Sequence, residues 1–172
     1  RMIGDAAGHV IRNSSIWNSS QRCIVIHATN GVQVLNNVCH DIKGHAIFLE
    51  DAVERRNVFD GNIALKIREP SAGKRLMIHE SPSSQGGPSG FWLTNPDNIV
   101  RNNLMTNSSR MAVEVNWDGV AAPTGAAANT FANNCLFGSD ANRVLGSNQG
   151  VVWAASNRWV DPQYNNQASG DY

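Results

Sequence analysis

The sequence predicts an all-β fold, a parallel β-helix in which short strands wind into about five to six stacked coils. Three observations predict it. A five-residue template containing Asn recurs along the chain, pairs of apolar residues at period two follow it at matching offsets, and the composition is rich in Asn, Gly and Ser while only 16% of residues are charged. Such a composition suits turns between short strands better than helices.

The template is an apolar residue, any residue, Asn or Gly, Asn or Ser, then usually another apolar residue. It reads Ile11-Arg12-Asn13-Ser14-Ser15, Val34-Leu35-Asn36-Asn37-Val38, Phe59-Asp60-Gly61-Asn62-Ile63, Val100-Arg101-Asn102-Asn103-Leu104 and Phe131-Ala132-Asn133-Asn134-Cys135. Successive starts are 23, 25, 41 and 31 residues apart, so two spacings are a bare repeat and two carry insertions. The apolar pairs Ile24 and Ile26, Ile47 and Leu49, and Val113 and Val115 each mark a strand with one buried face. A unit this small cannot bury its apolar face alone, but stacked units share one core. Stacking places Ile11, Val34, Phe59, Val100 and Phe131 in one interior column. The paired Asn positions then form a ladder at the turn, where amides hydrogen-bond between rungs and Asn tolerates the left-handed backbone. A leucine-rich repeat would need a Leu-x-x-Leu-x-Leu signature, which is missing, and a β-sandwich has no need of a template at fixed phase.

The chain reads as a single domain over residues 1–172, with inserted loops at about 66–90 and 118–128. The first insert holds Pro70, Pro82 and Pro88. From Val144 the template fades, and Trp153, Trp159 and Tyr164 are expected to cover the last coil. Fourteen basic residues balance fourteen acidic ones, which gives no net field to attract nucleic acid or an anionic membrane. No apolar run reaches the roughly 18 residues that a membrane span needs. Cys23, Cys39 and Cys135 are odd in number and contain no CxxC pair, so they are expected as small core or turn residues, with one disulfide plus one free thiol as the alternative.

Register singles out the stretch after Gly44. With Leu49 facing inward, Glu50 faces outward, and the 23-residue offset stacks it on His27. Counting ten residues on from the second Asn takes Asn37 to Ile47 and Asn103 to Val113, so Asn116 and Trp117 correspond to Glu50 and Asp51. In the third coil, Leu76-Met77-Ile78-His79-Glu80 has the same period, and aligning Ile78 with Leu49 puts His79 in the column. The expected outer row is therefore His27, Glu50, His79 and Asn116, with Asp51, Glu80 and Trp117 beyond it. Carboxylates and imidazoles serve as general acid and base, paired carboxylates cleave glycosidic bonds, and Trp stacks on a sugar face. The same acids can hold Ca²⁺ through oxygen ligands. Glu54, Arg55 and Arg56 read as turn charges.

The residues Gly44-His45-Ala46-Ile47-Phe48-Leu49-Glu50-Asp51-Ala52-Val53-Glu54-Arg55-Arg56-Asn57 resemble a motif of the β-helix region in the family of the cell-migration-inducing hyaluronan-binding protein, its transmembrane relative and the fibrocystin-like proteins. Gly90-Phe91-Trp92-Leu93-Thr94-Asn95-Pro96-Asp97-Asn98 is similar to a second motif of that family, and Met77-Ile78-His79-Glu80-Ser81 to a third. The resemblance implies a right-handed β-helix, an extracellular or cell-surface setting and a polysaccharide partner such as hyaluronan. Glu50, Asp51, His79 and Glu80 are then the candidate catalytic groups, with His27, His45, Arg56, Trp92, Asn95, Asn116 and Trp117 as candidate substrate contacts. The segment from Trp159 to Tyr164 is similar to the close of many secreted bacterial β-helix proteins. A start without Met and a stop at Tyr172 suggest a piece of a longer chain, whose exposed coil edges would favour end-to-end self-association. The functional expectation is a carbohydrate-active β-helix that binds, and as lyase or hydrolase depolymerises, a hyaluronan-like or pectin-like polysaccharide. The alternative is a non-catalytic structural or adhesive module of a surface protein.

Overall fold

The computed structural model describes residues 4–5, 8–49, 54–68, 89–93, 97–109, 111–115, 124–138, 150–169 and 171. A two-residue strand, β1 (Gly4–Asp5), precedes the first coil. That coil contains β2 (Val10–Arg12), β3 (Ser15–Trp17) and β4 (Ile24–Ile26), and leads through β5 (Thr29–Asn30) into β6 (Gln33–Leu35), β7 (Val38–Ile42) and β8 (Ile47–Leu49). The third coil is β9 (Val58–Asp60), β10 (Ile63–Ile67) and β11 (Ser89–Leu93), and the fourth is β12 (Ile99–Arg101), β13 (Leu104–Ser108) and β14 (Met111–Val115). Then follow β15 (Asn129–Ala132) and β16 (Cys135–Phe137), and lastly β17 (Val151–Trp153) and β18 (Arg158–Trp159).

Every strand pairing among the described residues is parallel, which makes the molecule a parallel β-helix. Right-handed winding is the sense that strand twist imposes on parallel crossovers. Among the described residues, three long sheets run along the axis beside the two-stranded sheet β1-β5. The first has the order β2-β6-β9-β12-β15-β17, the second β3-β7-β10-β13-β16-β18, and the third, with four strands, β4-β8-β11-β14.

The interior column stands as the template predicts: Ile11, Val34, Phe59, Val100 and Phe131 are in register on successive strands of the first sheet. The column then extends to Trp153, whose ring stacks on Phe131 at 5.2 Å. A sixth unit therefore continues where the sequence pattern fades. Asn157 of this unit joins the ladder, but one extra residue separates it from Trp153 compared with Phe131 and Asn134, and that insertion breaks the template.

The two Asn residues of the template divide the labour. The first, at Asn13, Asn36, Asn102 and Asn133, takes the left-handed conformation with φ between 52° and 57°, and Gly61 supplies the same turn at 68°. The second forms the ladder: Asn37 donates its amide to Asn62, Asn62 to Asn103, Asn103 to Asn134 and Asn134 to Asn157, at 2.8 to 3.1 Å. Each Nδ2 also reaches a backbone carbonyl, as Asn62 does to Val34 and Asn103 to Phe59. A second ladder at another corner was not foreseen: Asn57 donates to Asn98, whose own backbone N–H donates to Asn129.

The cysteines follow the alternative reading, one disulfide plus one free thiol, rather than the first. Cys23 and Cys39 form a disulfide, and among the described residues Cys135 is the free thiol. Coil closure brings Cys39, inward-facing on β7, to the residue just before β4, with 6.0 Å between the two Cα atoms.

Candidate functional site

The candidate site lies on the outside of the four-stranded sheet. Its outward row holds Val25, Phe48 and Glu114 on β4, β8 and β14, and the backbone of Trp92 on β11 is in register with Phe48 and Glu114. Outward positions of a β-helix ordinarily meet water, yet Phe48 is fully buried and Glu114 only 2% exposed. Strand β8 is thus buried on both faces. A signal for this was present: Ala46-Ile47-Phe48-Leu49 is an unbroken apolar run, the mark of a doubly buried strand.

A guanidinium and an imidazole pack on Phe48. The Arg22 guanidinium lies 3.7 Å from the ring centroid, and the His45 imidazole stacks on the same ring at 5.1 Å. A glycine makes this possible. At Gly44, with φ of 152°, a Cβ would sit 3.2 Å from the Arg22 backbone N, so only glycine lets β8 approach the preceding coil this closely. His45, expected as a substrate contact, is fully buried against Phe48.

The charged turn after β8 is also more integrated than expected. Glu54 is fully buried, and its Oε1 accepts from the backbone N–H of Ala28, a residue held at φ 53°. It ties one coil to the turn of the coil before. Arg55 and Arg56 are exposed. Arg56 adopts φ 57° and its N–H donates to the Asp97 carbonyl, a geometry that stacks it on Asp97 at φ 58°.

His27 is exposed and follows β4 directly. The row loses its third-coil member. The place in the sheet between β8 and β14 belongs to β11, with Phe91 opposite Ile47 and Val113, so the alignment of Ile78 with Leu49 that set His79 in the column does not hold. Both segments have period-two apolar residues, and pattern alone could not choose between them. Trp92 lies in β11, in register with Phe48 and Glu114. Glu50, Asp51, His79, Glu80, Asn95, Asn116 and Trp117 fall outside the described residues. Among the described residues no group of three His, Cys, Asp or Glu side chains is placed to hold a metal ion. Nor, among them, is any helix long and apolar enough to cross a membrane. The sequence reading missed Arg22 and Glu114.

This architecture matches a known family model, the CEMIP β-helix, over residues 1–136. The chain belongs to the CEMIP β-helix family. Among curated relatives of this family, human fibrocystin-L is 29% identical over 99 residues, covering 58% of the chain and 2% of the relative. A zebrafish (Danio rerio) cell surface hyaluronidase is 33% identical over 110 residues, 55% of the chain and 8% of the relative. A G8 domain-containing protein of Dictyostelium discoideum is 33% identical over 132 residues, 71% of the chain and 11% of the relative. The chain thus spans a small fraction of the length of these CEMIP β-helix relatives. No solved structure matches it.

Proposed function

We propose that this β-helix handles an extracellular polysaccharide, binding a hyaluronan-like or pectin-like chain laid across the coils on the outer side of the four-stranded sheet. One observation carries the reading: this sheet keeps an aromatic and a carboxylate, Phe48 and Glu114, buried at outward positions, with Arg22 and His45 packed on the aromatic. Burying a charged group outside the core is costly unless a defined surface is built around it. A row of this kind departs from what stacking alone requires, and departures from the repeat are where function is sought. Relatives named as cell surface hyaluronidases support a glycan partner and an extracellular or surface location, as does the Cys23–Cys39 disulfide, which belongs to an oxidising compartment.

Depolymerisation is the finer part of the proposal. Glu50 and Asp51 are the first candidates for acid and base, and His79 and Glu80 from the insert the second. His27, Arg56, Trp92, Asn95, Asn116 and Trp117 supply sugar contacts, and the carboxylates could also hold Ca²⁺. The test is a screen of glycosaminoglycans and pectic polymers for binding and chain shortening, with and without Ca²⁺, comparing wild type with Glu50→Gln. Binding retained with cleavage lost assigns Glu50 to chemistry; cleavage unchanged in Glu50→Gln removes it.

A second reading is a non-catalytic module of a surface protein. The two Asn ladders favour it, because they make a stiff, self-satisfied rod with no chemistry of its own. Binding without shortening of any polymer would select this reading.

A further inference from the structure

The second sheet carries a feature on its outer side that the proposed site does not use. Trp17, at the end of β3, is 69% exposed, more than any other large hydrophobic side chain among the described residues. It heads an outward column of registered residues, Trp17, His40, Leu65, Thr106 and Phe137. The far part of this column is covered by the chain itself. Tyr164 shares a 2.7 Å hydrogen bond with the Thr106 hydroxyl, and the Cys135 thiol donates to the Val160 carbonyl. Trp17, three strands away from Thr106 in that sheet, is left bare.

The corner next to Trp17 is cationic. Asn18, Asp41 and Lys66 follow Trp17, His40 and Leu65, and all three take left-handed backbone at φ 53° to 56°. That conformation turns the chain outward at the same place on three rungs. Lys66 and Arg68 both contact Asp41, and each keeps 44% of its side chain exposed. Lys43 stands on the rung beside them, its N–H bonded to the Ser19 carbonyl while the Arg68 N–H is bonded to Ile42. Two cations, Lys66 and Arg68, therefore face one carboxylate among the described residues of this corner, and Lys43 lies on the neighbouring rung. Asp41 orients both cations and cannot neutralise the pair.

We infer that Trp17 together with Lys43, Lys66 and Arg68 forms a second binding subsite, for an anionic, uronate-bearing polysaccharide running parallel to the helix axis. The indole offers a flat apolar face to a sugar ring. Two rungs further on, about 10 Å along the axis at the usual strand spacing, Lys66 and Arg68 meet the carboxylate of a neighbouring sugar, which Arg and Lys bind by charge-assisted hydrogen bonds. Axial direction matters because successive sugars then meet successive rungs. The subsite rests on the polysaccharide reading above but lies on a different sheet from the row after β8, so the two can fail separately.

The test measures binding of hyaluronan and polygalacturonate decasaccharides, with a neutral cello-oligosaccharide as control, to the 172-residue chain and to Trp17→Ala, Lys66→Gln/Arg68→Gln and Glu50→Gln variants. Trp17→Ala is expected to weaken an acidic probe about tenfold. The double variant should weaken it about fivefold at low salt and much less at high salt, because the charges are exposed. Thermal melting of Trp17→Ala should match wild type, since the side chain is mostly in water. If neither acidic probe binds wild type, the polysaccharide reading and the subsite fall together. If an acidic probe binds and neither Trp17→Ala nor the double variant weakens it, the reading stands and the subsite is overturned. Equal binding of the neutral probe, or loss of self-association in Trp17→Ala without loss of binding, also overturns it, the latter making Trp17 a contact between copies of the chain.

Discussion

Two of the places where this β-helix buries polar groups do so by opposite means. At the corner between the first and second sheets, Asn37, Asn62, Asn103 and Asn134 are each buried and each satisfied by a copy of the same residue one rung away. Outside the four-stranded sheet, Arg22 and His45 pack on the unlike Phe48, and Glu114 is buried on the same side, each occurring once. Like-on-like stacking answers only the needs of the fold. A cluster that no other rung reproduces is under some other constraint, and the difference separates scaffold from candidate site without any bound ligand.

Substitutions can break the comparison at either place. The largest effect is expected at the ladder: Asn103→Ala strips the acceptor from the Asn62 N–H and Nδ2 and the donor from the Phe59 carbonyl. Leaving such groups buried and unpaired should cost about 3 kcal/mol or more, read by urea denaturation, with glycan affinity of the folded fraction unchanged. A loss under about 1 kcal/mol would mean that the ladder is decorative. Next comes the disulfide. Replacing Cys23 and Cys39 by Ser should remove about 3 kcal/mol for a loop of this size, and because Arg22 adjoins Cys23, it should also weaken glycan binding at the four-stranded sheet. Stability lost with binding intact would detach the bridge from the site.

A smaller effect is expected for Arg22→Ala, about 1 kcal/mol for a partly exposed cation–π contact, but with a clear drop in polysaccharide affinity. The ratio of binding loss to stability loss, high for Arg22 and low for Asn103, is what the comparison requires. The smallest effect concerns acid. Burial disfavours ionised Asp60, but hydrogen bonds from Asn102 and Arg101 and the Arg101 charge outweigh it and lower its pKa below the ordinary 3.8. Asp41 behaves likewise: burial opposes its charge, and Arg68 and Lys66 overcome that. A lowered folded pKa contributes stability that is complete above the unfolded value and lost as pH falls through the folded one. The urea midpoint should therefore be level from pH 7 to about 5 and fall below about 4, with a shallower fall in Asp60→Asn.

Much of the scaffold was legible because the template reports something physical: an inward apolar residue, a left-handed turn and a ladder amide. Ile11, Val34, Phe59, Val100 and Phe131 could be placed from spacing alone, and they are in register. The last coil escaped because one inserted residue between Trp153 and Asn157 shifts the pattern while leaving the amide in place. The second ladder escaped because its position holds Val32 in an early coil, so no constant residue marks it. The site was less legible. Alternation predicts which way Phe48 points but not what lies over it, and Arg22 reaches that ring from the preceding coil through a contact that no periodicity encodes. In the third coil two period-two segments competed, and only strand pairing chose β11.

The ladder bonds join residues 25, 41, 31 and 23 positions apart in the chain, yet their lengths stay between 2.8 and 3.1 Å. Contour length and axial rise are thus uncoupled: the chain may wander outside for any number of residues, provided it returns to the next amide. In that sense the ladder acts as a ruler, and the excursions between its marks are exchangeable cassettes. A lineage, or an engineer, can lengthen, shorten or swap what projects from one corner while the spacing of every other rung stays the same.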